Sequence, residues 1–253
     1  MSKEKRHLRY QEIVKQMGEP TGDVQCGETE IIINPDKMEE MEQLLIELCR
    51  SRGIPEEYVY LGAIWENHWY AVVNEPVLFP NSKGDPIPGC YMRVFFKGEL
   101  NGQKSVFLLP VLEDGRILLN VAYRSTVRNW TVEGPGTATK ENETHAEAIE
   151  RCVREKLGRR LILLRQLGPS GGVISERGIM GAAVPVYLAT VSDEKESDAS
   201  DLNVRGHIAL SIKEVMDGFH RGYIDVGNKR CVCQDGYTSY ALLLALAEGY
   251  LNF

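Results

Sequence analysis

The chain has 253 residues, 43% of them hydrophobic, with 29 basic and 36 acidic side chains and a net charge of −7. That length and apolar content suffice for a sizeable core in one large or two smaller domains. The negative balance argues against nonspecific nucleic-acid binding, and no apolar run reaches the ~20 residues a membrane helix needs. The first residues are charged, so no secretory signal is expected. The six cysteines lack CxxC spacing, which points to reduced thiols in the cytoplasm rather than a zinc ribbon or disulfide scaffold.

In chain order, Leu8, Ile13, Val14 and Met17 fit one face of a short helix, and residues 18–30 read as loop. Asn34 before Pro35 caps a second helix that Gly53 ends, with Met38, Met41, Leu45 and Leu48 as its apolar stripe. Aromatic and β-branched residues at 58–60 and 69–73 predict strands, while Pro80, Gly84, Pro86, Pro88 and Gly89 predict a loop over 79–90. Further strands are expected at 91–99 and 104–112, and Asp114-Gly115 turns the chain from 107–112 into 117–123. Thr144 with Glu147 three residues on forms a capping box. Ala146, Ile149, Val153 and Leu157 give that helix its core-facing stripe, and Gly158 stops it. Strands follow at 161–164 and 184–191, around a glycine-bearing loop at 168–181. Residues 192–203 form a polar surface loop in which Glu194, Glu196, Asp198 and Asp201 read as solvated acids. Ser211 and Glu214 cap a helix that ends at Gly222, and 240–251 reads as a final core helix. Cys231 and Cys233 share a face of an extended segment and read as packing residues, and His68, His145, His207 and His220 lack metal spacing.

The densest chemistry lies in residues 131–159, TVEGPGTATKENETHAEAIERCVREKLGR. Glu143, Arg151, Val153, Glu155 and Gly158 stand at the intervals of a Nudix box: Gly, five residues, Glu, seven residues, then Arg-Glu-apolar-any-Glu-Glu-any-Gly-apolar. Thr137, Cys152, Lys156 and Arg159 depart from that pattern. Tyr123-Arg124, Trp130 and Glu133-Gly134-Pro135-Gly136 precede the box, with 169–189, Gly222-Tyr223-Ile224-Asp225 and Asp235-Gly236-Tyr237-Thr238 after it. Together they make residues 56–250 resemble the ADP-ribose pyrophosphatase branch of the Nudix superfamily.

The resemblance implies an α/β fold, a Nudix α/β/α sandwich with a mixed sheet, preceded by a small β-rich N-terminal domain. The expected division is a helical extension at 1–55, the β-rich domain at 56–103 and the Nudix-fold domain at 104–253. The branch usually forms homodimers whose N-terminal domains help build the substrate pocket, and it cleaves the diphosphate of ADP-ribose or nucleotide sugars. Such a diphosphate concentrates negative charge, which Mg²⁺ neutralises while activating water, and Mg²⁺ takes hard oxygen ligands. The family's three acids, at i, i+3 and i+4 on one helix face, are here Cys152, Glu155 and Lys156. A thiol is a poor Mg²⁺ ligand, and an ammonium puts positive charge where the cation would sit. Mg²⁺ is therefore implied by the resemblance and put in doubt by these two substitutions, with Glu155 and Glu147 as the remaining candidate metal ligands.

The candidate catalytic residues are Glu155, Cys152 and Glu143, and the candidate substrate-binding residues are Arg124, Glu133, Arg151, Lys156 and Glu176. Three functions fit: a Nudix-fold protein acting on or binding a nucleoside diphosphate-linked compound with weakened Mg²⁺-dependent hydrolysis; a non-hydrolytic Nudix-fold enzyme using Cys152 and Glu155; and an inactive module that binds such a ligand. The expected partner is a small nucleotide-type molecule, with no nucleic acid or membrane.

Overall fold

The computed structural model describes residues 1–174, 179–198 and 204–252. They divide into two compact units, one made of Met1–Gly102 and 179–182, the other of 103–174 and the described residues from Ala183 onward.

In the first unit, helix α1 (Lys3–Met17) starts at a Ser2 cap and ends at Gly18 in the left-handed conformation. Strand β1 (Glu30–Ile31) precedes α2 (Pro35–Ser51), where Asn34 Oδ1 accepts from the backbone N–H groups of Asp36 and Lys37 and Pro35 occupies the first turn. Strand β3 (Tyr70–Phe79) pairs antiparallel with β1, β2 (Gly62–Glu66) and β4 (Ile87–Phe96). Tyr10 and Ile13 of α1, Met38, Met41 and Leu45 of α2, and Ala63, Ala71, Val73 and Phe95 of the sheet form one buried cluster. The helices of 1–55 and the strands of 56–103 thus share a core. Lys3, Arg6 and His7 all approach the buried Glu42 carboxylate of α2, at 2.7, 3.9 and 3.8 Å. Two sequence expectations change here. Residues Glu56–Tyr58 make a single 3-10 turn after Pro55 rather than a strand, leaving Tyr58 exposed. The expected loop at 79–90 shrinks, because the β3–β4 ladder continues to Phe79↔Ile87. Pro88 is tolerated there because β4 finds its ladder partner in β3 alone, which leaves its other side unpaired with any strand among the described residues.

The second unit is a mixed sheet. Its main path runs β14 (Tyr223–Val226), β15 (Lys229–Val232), β7 (Asn129–Glu133), β6 (Ile117–Arg124), β5 (Ser105–Leu112), β12 (Val186–Val191) and β9 (Leu161–Leu167). Strand β13 (Val204–Leu210) pairs with β6, and β8 (Gly136–Ala138) with β5. The β12–β5 and β15–β7 pairs are parallel, the others antiparallel. Side-chain alternation sends Phe107, Leu109 and Val111 to one face, where they pack with Val215 of α4 (Ile212–Arg221) and Ala241, Leu242 and Ala245 of α5 (Gly236–Ala247). Val106 and Leu108 point to the other face, against Ala148, Ile149 and Cys152 of α3 (His145–Cys152). A strand buried on both faces has no polar side, which explains the unbroken apolar run at 106–112.

The stripe on α3 differs from the expected one. Ala146 is exposed, and Ala148 takes its place beside Ile149, Cys152 and Val153. Strands β7, β8 and β13 and the β14–β15 hairpin carry little alternation and go unpredicted, although Gly227-Asn228 between β14 and β15 is a hairpin signal. The expected strand at 184–191 is split by Pro185 into β11 (Ala183–Val184), paired with β10 (Val173–Ile174), and β12. The last helix starts at Gly236 because Asp235 caps it. Asp201 lies outside the described residues. Among those residues no helix is long and apolar enough to cross a membrane.

If Ile149 anchors α3 to the sheet, Ile149→Ala should cost about 2–5 kcal/mol in urea unfolding, while the exposed Ala146→Ser should change stability by less than about 0.5 kcal/mol.

Candidate functional site

The site is built around Arg151. Thr144 Oγ1 accepts from the Glu147 N–H, and the Glu147 carboxylate accepts from the Thr144 N–H at 2.8 Å, so the capping box closes in both directions. This start fixes the angle at which α3 presents Arg151, two turns on. The Arg151 guanidinium holds Glu143 by two hydrogen bonds, Nε to Oε1 at 2.8 Å and Nη2 to Oε2 at 2.7 Å. Nη2 also donates to the Ala138 carbonyl of β8 at 2.9 Å, and Nη1 lies 3.6 Å from Glu155 Oε2. Arg151 thereby ties together β8, the 139–144 loop and the helix. The guanidinium holds the Glu143 carboxyl down to about 2, helped by the Lys140 N–H. Of the five residues that match the box, Glu143 and Arg151 form this clamp, Val153 is in the core, and Gly158 closes the helix.

The three positions of the expected ligand face do not share one solvent-exposed surface. Cys152 is fully buried in the apolar cluster beneath α3. From Val153 to Leu157 the helix widens into a π turn, a form often found at functional sites. Over that turn Val153 and Leu157 point inward, Glu155 outward, and Lys156 lies half-buried. Lys156 Nζ donates to the Gly136 carbonyl at 2.8 Å. The turn is held from behind by His207 of β13, whose Nε2–H donates to the Lys156 carbonyl at 2.8 Å, and burial lowers the pKa of that imidazole. Gly158 closes the turn at φ +65°, where a Cβ would stand 2.1 Å from the Ser197 carbonyl oxygen, so only glycine fits.

Upstream, Arg124 Nε donates to Glu133 Oε1 at 2.8 Å, and Thr131 Oγ1 donates to Glu133 Oε2 at 3.0 Å. The next residue, Gly134, leaves no room for a side chain. A Cβ there would meet the Phe107 ring at 2.4 Å and the Leu108 carbonyl at 2.8 Å. Its N–H donates to Thr238 Oγ1 at 2.8 Å, and Thr238 in turn donates to Asp235, the cap of α5. Burial raises the Asp235 pKa, and the nearby Glu133 charge acts in the same direction. Thr238, Asp235 and His207 are site-supporting residues that sequence reasoning assigned no role. The Asp-x-x-Thr spacing of a helix cap was the available signal for the first two, and His207 offers none before β13 is known. Glu176 lies outside the described residues. Cys231 and Cys233 are buried, and burial pushes the Cys233 thiol up to about 11, so they pack rather than react.

Among the described residues, those at the expected ligand positions do not fit a bound Mg²⁺. At the three expected ligand positions, Cys152 is fully buried, Lys156 presents an ammonium, and Glu155 faces Arg151. Glu147 Oε2 serves the Thr144 cap. Among the described residues no three His, Cys, Asp or Glu side chains converge as a metal-holding group.

The clamp has a direct spectroscopic test. Glu143 should titrate with a ¹³C-carboxyl midpoint near 2, and Arg151→Met should return it toward 4.5. The folded-state pKa lies below the ordinary one, so this pair stabilises the fold fully above about 4.5 and loses that contribution as pH falls toward 2.

No family model and no curated protein matches this chain. Among solved structures, a crystal structure described as that of an ADP compounds hydrolase is similar to it, with a TM-score of 0.54 and 15% identity, covering 75% of this chain and 93% of that one. At that identity the likeness is one of fold: a large mixed sheet with helices against it.

Proposed function

We propose that this chain binds a nucleoside diphosphate-linked compound of the ADP-ribose or nucleotide-sugar type beside α3, with Mg²⁺-dependent hydrolysis of the diphosphate weakened. Two lines support the ligand class: the spacing of Glu143, Arg151, Glu155 and Gly158, and the likeness of fold to the ADP compounds hydrolase structure. The observation that carries the weakened chemistry is the contact of Lys156 Nζ with the Gly136 carbonyl, next to a sealed Cys152. In this reading Arg124 and Lys156 supply positive charge to the phosphates, and Glu133 and Glu176 contribute to ligand binding. Glu143 and Arg151 hold the frame, and Glu155 is assigned the proton transfer. The ligand-binding module without turnover is the limiting case of the same proposal. The burial of Cys152 gives no support to the thiol-based alternative. The reading also carries a homodimer acting in the cytoplasm.

Calorimetric titration of the full chain with ADP-ribose and a set of nucleotide sugars tests it, alongside an assay of AMP release with and without Mg²⁺. Saturable binding is expected, with Mg²⁺ accelerating release by less than about tenfold. Failure of every compound to bind would remove the proposal, and vigorous Mg²⁺-dependent turnover would remove its catalytic half.

A further inference from the structure

We propose that Asn120 is a specificity residue: its side-chain carbonyl, the centre of a row of acceptors that ends at the π turn, receives a hydroxyl of the ligand's sugar. The inference rests on the ligand class proposed above. Along β6, Ile117, Leu119 and Val121 join the core on the α4–α5 side, and Leu118 lies beneath α3. Asn120 falls on the Leu118 face by strand alternation and is only 3% exposed. Its cross-strand neighbours are Glu133 on β7 and His207 on β13, and directly opposed residues share a face. A polar row thus crosses three neighbouring strands. Its central atom, Asn120 Oδ1, is buried and accepts no hydrogen bond among the described residues. Neither neighbour can supply the missing donor. Burial lowers the His207 pKa, and the one N–H of its neutral ring, on Nε2, is committed to the Lys156 carbonyl, so Nδ1 is an acceptor. The Glu133 carboxylate accepts from Arg124 and Thr131 and brings no donor of its own.

Three acceptors side by side select their occupant by chemistry. Phosphate oxygens are acceptors themselves and are turned away. The adenine edge sets ring-nitrogen acceptors beside its amino donor. A sugar carries a donor on every hydroxyl and meets the row without conflict. The row is less buried at its ends, where Glu133 keeps 12% of its side chain exposed and His207 is half-buried. A buried carbonyl left unmet destabilises the free protein, and a bound hydroxyl removes that cost. A site built to bond a hydroxyl also rejects the analogue that lacks it.

The test compares the full natural chain with Asn120→Leu, which keeps the shape of the side chain and removes its polar atoms. Calorimetry with ADP-ribose and with ADP reads recognition. We expect ADP-ribose affinity to fall at least about tenfold, and ADP affinity, with no second sugar to lose, to stay within about twofold. An equal loss for both ligands, as a contact to the base would give, overturns the inference. So does an unchanged affinity for ADP-ribose, which would leave an ordered water only at Oδ1. Thermal unfolding reads the unmet acceptor without any ligand. Asn120→Leu should raise Tm by about 2 °C or more, and a lowered Tm overturns the inference, because Oδ1 would then be satisfied in the free protein. If circular dichroism shows Asn120→Leu unfolded, Asn120→Ala carries the ligand comparison with the same outcomes. Failure of the natural chain to bind either compound counts against the proposed function. Binding of both with no selective loss in the variant counts against this inference alone.

Discussion

The Arg151–Glu143 pair is the constraint on which the rest of the site depends. One guanidinium satisfies both oxygens of one carboxylate and a backbone carbonyl of β8, with a second carboxylate within 3.6 Å. A bidentate pair of this kind fixes direction as well as distance, so the 139–144 loop, β8 and α3 hold one geometry. The positions that follow Arg151 inherit that geometry. Their chemistry is then set by which way the backbone turns next, and the backbone turns into a π segment.

That turn gives the two departures from the box different physical meanings. Cys152 lies on the last regular turn and faces the sheet, where an uncharged side chain packs among Val106, Leu108 and Ile149 without penalty. A carboxylate in the same buried position would face a desolvation cost that an uncharged side chain avoids. Lys156 lies in the widened turn and reaches a backbone acceptor. One substitution closes a position to polar chemistry, and the other places a charge next to it.

Local signals in the sequence carried far where they encode a local interaction. The Asn34, Thr144 and Ser211 caps, the left-handed glycines at 158 and 222 and the Asp114-Gly115 turn each depend on a few neighbouring residues, and each appears in the structure as read. The elements that escaped, β8, β13 and the β14–β15 hairpin, are short or polar and exist because of distant partners in the sheet. The site divides along the same line. The spacing of Glu143 and Arg151 is visible in a linear pattern. The burial of Cys152 is not, because it depends on which side of α3 the sheet covers. The Lys156–Gly136 contact spans 20 residues, and the Gly134–Thr238 bond spans 104. Such partners emerge only once the sheet has brought their strands together.

Residues 3, 6 and 7 bear on anyone who handles this polypeptide. Their side chains surround Glu42, a carboxylate with 7% of its side chain exposed. A buried charge deprived of counter-charges such as Lys3 and Arg6 is far more costly than the pair was favourable. A protease cut that removes residues 1–7 would strip Glu42 of these three partners in the middle of α2. The helix pair and the sheet that shares its core would bear the consequence.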